Sequence, residues 1–375
     1  MAFLLSAELE EFANTLASFL NEKLPTESLH QRTLDMSKTA MTAAACRESE
    51  FWKSISALGI FAAGIEEDYQ GLGLNITALN IICQVLGANL GAYPTIENII
   101  FGADLLGQLA AKKHKADLQT KIAAGHMICT AASQHLYLKH KNPLKISFAS
   151  NKQTAKLSGE LDFVPYYETA DLLLIPLAEP AILLGIKLGQ IKSITFQRLD
   201  SIDLFRPYYR LTLDHTEADI LSEEISVELV QNAALRLSNL AASEMVGSAS
   251  QTLRMSCEYA KTRKQFGKSI GSFQAVAHKL ANMQVKVASA EALVRFALWA
   301  SAEDKESFPA AALAASCFCS GEMPVVCEDS IQAHGGIGFT FEYALHFYLR
   351  RVRALATLFG SSSDAACDLA KLRTK

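Results

Sequence analysis

The sequence predicts a mainly α protein with a small β-domain in its middle, and three observations carry that expectation. Apolar residues recur at three- and four-residue steps before about Thr130 and again after Ser222. Between Lys145 and about Leu221 the period falls toward two, in β-favouring runs cut by turn residues. At 375 residues the chain is also long for one core. The division that follows is an N-terminal helical domain (1–130), a middle β-domain (131–222) and a C-terminal helical bundle (223–375).

The N-terminal part opens with Leu9, Phe12, Leu16 and Phe19, one stripe of an amphipathic helix with Ser6 as its N-cap. A second helix is expected over 51–58, stopped by Gly59. The stretch 76–90 reads as a mostly buried helix capped by Asn75, and 105–124 as another. Before the first of these lies Glu66-Glu67-Asp68-Tyr69-Gln70-Gly71-Leu72-Gly73, whose two glycines mark an irregular loop.

Strands of the middle domain are expected at 146–149, 170–175, 181–186, 193–197 and 208–213, punctuated by Gly159, Pro180, Gly185 and Pro207. Beyond them, Ala242, Val246, Ala249, Leu253, Cys257 and Ala260 form one buried face of a long helix. Leu280, Met283, Val287, Ala290, Val294 and Leu298 repeat the pattern in the next. A third helix is expected over 310–333, with Gly321 and Pro324 kinking or breaking it, and a fourth over 341–358. Four long helices suggest an antiparallel bundle.

Composition excludes several classes of function. A net charge of -4 gives no electrostatic reason for a nucleic-acid partner. The eight cysteines form no C-x-x-C pair, so neither a zinc site nor a redox dithiol has support, and free buried thiols in a reducing cytosol are expected. The N-terminus lacks the basic and apolar regions of a signal peptide. No apolar stretch approaches the roughly 18–20 residues that span a bilayer. The expectation is a cytoplasmic protein.

Two segments carry the chemistry. Tyr259 to Gln274 links two long helices, where a connection is ordinarily short and polar. It holds four cations, three aromatics, two glycines and two glutamines. Gly267 lets backbone approach a ligand, Arg263 offers a fork for phosphate, and Ser272 would cap the next helix, whose N-terminus favours an anion. A solvated basic turn at a helix C-terminus accounts for the same residues. The second segment runs from Ile331 to Thr340, where Gly335, Gly336 and Gly338 end a helix and expose backbone amides. His334 and His346 are candidate ligands or bases there, although histidines near helix ends are more often structural.

Together the segments are far more specific. Arg263 to Gln274 reads R-x-Q-F-G-x-x-I-x-x-F-Q, and Gln332 to Glu342 reads Q-x-x-G-G-x-G-F-T-x-E. The pair resembles the C-terminal half of acyl-CoA dehydrogenases. Trp52 to Gly59 and Glu66 to Gly73 resemble the family's N-terminal W…L-G…P-E-x-x-G-G-x-G run, with Glu66 where proline is usual and Gln70 where the first glycine is usual. The resemblance covers essentially the whole chain, strongly after Glu244 and loosely between Gln134 and Leu221.

The resemblance implies an N-terminal helical domain, a β-barrel-like middle domain and a four-helix bundle that builds the oligomer. It also implies FAD-dependent α,β-dehydrogenation of an acyl-CoA: a glutamate removes the α-proton while hydride leaves the β-carbon for the flavin. Arg263, Gln265, Phe266, Ile270 and Gln274 match family positions that hold the FAD adenosine and diphosphate. Gln332, Gly335 and Gly336 match a second set, and both sets reach across an interface onto a neighbour's flavin.

Three departures qualify this. The glutamate-glycine pair that supplies the base in many members is here Phe359-Gly360. The alternative base position, on the first long bundle helix, matches Leu237 or a near neighbour. Glu244 lies two turns on along the same face and is the remaining candidate for a base, or else a structural carboxylate. The flavin-ring segment, usually W-[IV]-[ST], is Phe163-Val164-Pro165, and the stretch 135–150 before it lacks the usual pattern. Residues reaching a neighbour's flavin are kept, while those serving the chain's own flavin are lost. That pattern implies the accessory chain of a heteromeric acyl-CoA dehydrogenase of the kind linked with fatty acid, steroid side-chain or other bulky acyl-CoA breakdown. Such a chain works with a homologous catalytic subunit and an electron-transfer acceptor. A self-sufficient homo-oligomer with an unidentified base and a non-enzymatic interaction protein of the same fold are the alternatives.

Overall fold

The computed structural model describes residues 7–38, 41–91, 93–137, 144–150, 153–189 and 191–373; the expected cap Ser6 and part of the 135–150 stretch lie outside them. Helix α1 (Ala7–Lys23) buries Leu16 of the expected stripe, together with Leu20 beside it. Helices α2 (Leu29–Lys38), α3 (Ala43–Glu48) and α4 (Glu50–Ala57) follow, the last capped by the Ser49 hydroxyl and ended ahead of Gly59 at φ 76°. Trp52 is buried against Phe61 and donates its indole N–H to the Gly125 carbonyl (2.8 Å), so the tryptophan of the N-terminal motif is a packing anchor. In the loop at Glu66, Gln70 adopts φ 62°, a conformation that the glycine usual there would take more easily.

Helix α5 (Ile76–Asn89) starts as expected, with the Asn75 side chain accepting from the Thr77 and Ala78 amides. The expected helix over 105–124 is broken. Helix α6 (Thr95–Glu97) runs through a buried π-helix (Asn98–Leu105) into α7 (Leu106–Leu109), Ala110 and Ala111 are extended, and α8 (Lys112–Ala123) then begins. The Ala111 amide donates to the Leu221 carbonyl (2.8 Å), a long-range bond that no local propensity announces.

Strands β1 (Cys129–Ala131), β2 (Lys145–Phe148), β3 (Thr154–Pro165), β4 (Leu172–Ala178), β5 (Ala181–Lys187), β6 (Ile194–Leu199) and β7 (Tyr208–Ile220) form one sheet. Its order is β1-β4-β5-β7-β3-β2, with β6 also on β7, and only the β1–β4 pair is parallel. Two strands, β1 and β3, were not expected. Gly159, read as punctuation, sits inside β3 at φ 136°, where the register on β7 shifts; it bends the strand instead of ending it.

The bundle comprises α9 (Val227–Thr262), α10 (Gln274–Glu303), α11 (Phe308–His334), α12 (Leu345–Leu358) and α13 (Ser362–Arg373), one helix more than expected. Helix α11 runs unbroken through Gly321 and Pro324, clamped by α9, α10, α12 and α13. The run Phe308–Phe339 is, contrary to the sequence expectation, long and apolar enough to cross a membrane by length and composition (mean hydropathy 1.5). It packs on helices on several sides, which is why it is apolar nearly all round.

Two glycines fix how the first region meets the bundle. A Cβ at Gly87 would lie 2.3 Å from the Glu244 carbonyl oxygen, and one at Gly247 would lie 1.9 Å from that of Gln84. Helices α5 and α9 therefore touch backbone to backbone, and Ser248 donates to the Gly87 carbonyl (2.9 Å). The N-terminal helices and the bundle share one apolar core, while the β-domain has its own.

Candidate active site

A cleft lies where the three regions meet. Phe359, at the end of α12, stands edge-on to Tyr137 (ring centroids 5.3 Å apart), whose hydroxyl donates to the Ala234 carbonyl (2.6 Å). Opposite are Phe163 and Pro165 of β3. Phe163 sits at φ 56° where the strand bulges, and the Pro165 carbonyl accepts from the Thr130 hydroxyl. Pro165 has no amide N–H, so this segment offers a flavin ring one donor fewer. Leu237 is fully buried on α9. The cleft is lined mostly by apolar side chains, among them Ile100, Phe101, Leu355 and Leu358, with Glu97, Arg206 and Glu244 as its charged members.

Glu244 closes its inner end. Both its carboxylate oxygens accept from Arg206 Nη2 (3.1 and 3.0 Å), and Oε1 also accepts from Arg351 Nη1 (2.5 Å). Arg351 Nε donates to Asp203 as well. Arg206 Nε lies 2.5 Å from Glu97 Oε1, but misaligned, so this is an ion contact and not a hydrogen bond. All five residues are at most 5% exposed. Burial pushes the Glu244 carboxyl up, but Arg206 and Arg351 outweigh it and hold the group below the usual carboxylate range. Glu97 goes the other way: burial raises it, and Arg206 offsets that only in part. A depressed carboxylate with both oxygens engaged is a poor proton acceptor.

Glu97, Asp203 and Arg206 carry no local signal in the sequence. Arg351 did leave a signal, since it falls on one helical face with Phe347, Tyr348 and Leu355, where a guanidinium demands partners.

The two segments singled out by motif lie on the outside of the molecule and meet at their bases. Lys264–Gln265 (β8) pairs with Lys268–Ser269 (β9) in a hairpin. Its turn residues Phe266 and Gly267 both have positive φ (52° and 81°), as a tight two-residue turn requires, and Phe266 is 91% exposed. Arg263 is held by its backbone, its amide on Tyr259 (2.8 Å) and its carbonyl on Ile270 (2.9 Å), while its side chain is exposed and makes no ion pair among the described residues. Gln265, Gln274 and Gln332 are exposed, and Ile270 is half-buried. Ser272 does not cap α10; its hydroxyl donates to the Ser269 carbonyl, and the cap position is Phe273.

Gly335 (φ 63°) and Gly336 have open space where a Cβ would stand. Just before them, His334 stacks on Tyr259 (4.5 Å) and donates Nδ1–H to the Ser330 carbonyl (2.8 Å). His346 likewise bonds the Phe341 carbonyl through Nε2, and burial pushes both histidines down. Each ring is thus fixed by a backbone carbonyl of its own helix end.

These two surfaces differ in their fit to FAD. The outer one, with a guanidinium that makes no ion pair among the described residues, open glycines and exposed amides, suits a phosphate-bearing group. The inner cleft, with Phe163, Phe359 and a Pro165 that has no amide N–H, fits a flavin ring less well.

The sequence profile of the acyl-CoA dehydrogenase C-terminal domain matches residues 230–370, and that of the N-terminal domain matches residues 6–126. The chain belongs to the acyl-CoA dehydrogenase family. Members of this family are FAD-dependent oxidoreductases. The acyl-CoA dehydrogenase IpdE2 of Mycobacterium tuberculosis is 27% identical over 328 residues, 87% of each chain. Among solved structures, a chain of the ChsE4-ChsE5 complex of the same organism superposes with a TM-score of 0.86 at 20% identity, covering 100% of this chain and 99% of that one. Butyryl-CoA dehydrogenase from Megasphaera elsdenii gives 0.86 at 19%, covering 100% of both.

Proposed function

We propose that this acyl-CoA dehydrogenase family member is the accessory subunit of a heteromeric enzyme, lending side chains to FAD held mainly by a homologous catalytic chain. One observation carries this: residues matching the cross-interface flavin contacts are mostly exposed, Arg263 without an ion pair among the described residues, while both base positions hold apolar side chains, Phe359 and Leu237. Arg263 would lie against the diphosphate, the Gly335–Gly336 backbone beside it, and Gln265, Phe266, Ile270, Gln274 and Gln332 around the rest of the nucleotide. When bound, FAD supplies the acceptor for hydride leaving the acyl β-carbon. Proton removal falls to the partner, and Glu244 is structural in this chain. The likeness to a chain of a two-protein complex supports the same reading. An electron-transfer acceptor then reoxidises the flavin.

The test is co-expression with a homologous, glutamate-bearing chain, followed by flavin absorbance per polypeptide. The expected result is a colourless, inactive lone chain and a complex with one flavin for every two chains. Full flavin occupancy with turnover of an acyl-CoA by the lone chain overturns the proposal.

A further inference from the structure

We propose that His334 is a positioning residue for the shared flavin: its buried ring sets how Arg263 stands relative to the Gly335–Gly336 backbone, so that both meet one phosphate-bearing group. The assignment rests on the flavin-sharing role, because the two segments have this use only against a neighbour's nucleotide.

His334 is the last residue of α11, and Tyr259 lies in the last turn of α9. The imidazole stacks on the Tyr259 ring (centroids 4.5 Å apart, planes 25° from parallel) and packs on Tyr343 at 4.8 Å. Its Nδ1–H donates to the Ser330 carbonyl (2.8 Å), one of the last-turn acceptors of the helix, and this fixes the rotation of the ring. Backbone connects the joint to both segments. The Arg263 amide donates to the Tyr259 carbonyl (2.8 Å), and the Ile270 amide closes the hairpin base on the Arg263 carbonyl (2.9 Å). On the other side Gly335 follows at φ 63°, and the loop folds straight back. A Cβ at Gly338 would lie 3.0 Å from that of His334 and 2.4 Å from the Ile331 carbonyl oxygen. A ring of fixed orientation thus joins two exposed segments.

Phenylalanine would fill the same space, but the imidazole adds a cost and a property. His334 is 3% exposed, and its Nε2 has no hydrogen-bond partner among the described residues. A second proton would sit on Nε2 with no acceptor for it. Burial holds the group below its ordinary value of 6.5, and no charged side chain is among the groups that act on it. The contribution of the neutral ring is therefore present above 6.5 and is lost as pH falls through the folded value. Flavin retention should fall with it.

Hydrogen exchange of the lone full-length chain tests the joint without flavin. His334→Asn keeps a donor but not the ring. It should speed exchange across the contact, in 263–274, about ten-fold, and Tyr259→Leu should do the same in 335–340, both with melting midpoints near that of wild type. His334→Phe keeps the ring and should leave both segments as slow as in wild type. Exchange unchanged across the contact in the first two variants, or His334→Phe as fast as His334→Asn, overturns the joint. In the complex with a glutamate-bearing homologue, His334→Asn should lower flavin per polypeptide. His334→Phe should retain flavin and remove its loss between about pH 8 and about pH 5. Flavin content that matches wild type in His334→Asn but falls in Arg263→Ala overturns the positioning role alone. Flavin content unmoved by Arg263→Ala as well fails the flavin-sharing role itself, and the positioning role with it.

Discussion

Tyr259 stacks on His334 with ring centroids 4.5 Å apart, and through that contact the basic hairpin and the glycine loop become one surface. Arg263 follows Tyr259 by one helical turn, and Gly335 follows His334 directly. Arg263→Ala should therefore lower flavin occupancy of the assembled complex without unfolding this chain. Charge-assisted hydrogen bonds contribute about 1.5–3 kcal/mol each, so losing one weakens flavin binding about ten-fold or more. An exposed substitution should shift stability by only about 0.5 kcal/mol. The check is the flavin-to-protein absorbance ratio with a melting curve as control. Equal flavin content at equal midpoint would return this loop to the role of a solvated basic turn.

Placing a carboxylate at the family base position should not create an enzyme. Phe359→Glu in the lone chain is expected to show no acyl-CoA dehydrogenation, because the position faces Tyr137, Phe163 and a Pro165 that offers a flavin ring no amide N–H. A dye-reduction assay over short, long and ring-bearing acyl-CoAs checks this. Turnover by this variant, or by wild type alone, would mean that the chain holds a flavin of its own at this cleft.

Long helices and the outward-facing motif were legible because their signals are local. A buried stripe every three or four residues is written into α9 and α10, and Arg263 to Gln274 combines residue types rarely gathered by chance. Strand β3 was missed because Gly159 breaks a pattern whose continuation depends on pairing with β7. The break at Ala110 and Ala111 depends on a bond to Leu221, and the Glu244 cluster on residues far apart in sequence. Glu244 itself stood out, as a carboxylate on an apolar face, but its neighbours exist only in the fold.

The contact between α5 and α9 makes Gly247 intolerant of any side chain. Gly247→Ala would set a methyl 1.9 Å from the Gln84 carbonyl oxygen, backbone that can move only by separating the helices. Overpacking of this kind costs about 1–3 kcal/mol, and a backbone clash belongs at the upper end. Gly189→Ala, with nothing within 4 Å of the new methyl, is the control, expected within about 0.5 kcal/mol of wild type. Urea melts of the two variants should differ accordingly; equal midpoints would mean that the helices do not meet as described.

Glu244 and Glu97 touch the same arginine but should respond oppositely to pH. The folded pKa of Glu244 lies below its ordinary value of 4.5, so its contribution is present above that value and is lost as pH falls through the folded pKa. The folded pKa of Glu97 lies above 4.5, so its contribution is full below that value and is lost as pH rises through the folded pKa. At pH 7, Glu244→Gln should cost about 3–5 kcal/mol, because two buried guanidiniums lose their shared charge. Glu97→Gln should stay within about 1 kcal/mol of wild type, since Arg206 keeps Glu244 and an already disfavoured charge is removed. The gap between wild type and Glu244→Gln should then shrink as pH drops below 4.5, while Glu97→Gln gains relative to wild type as pH rises. Urea titrations at intervals from pH 4 to pH 8 measure both slopes. Equal effects of the two substitutions at neutral pH, or a gap that widens in acid for Glu244→Gln, would show that the cluster does not hold its charges in this arrangement.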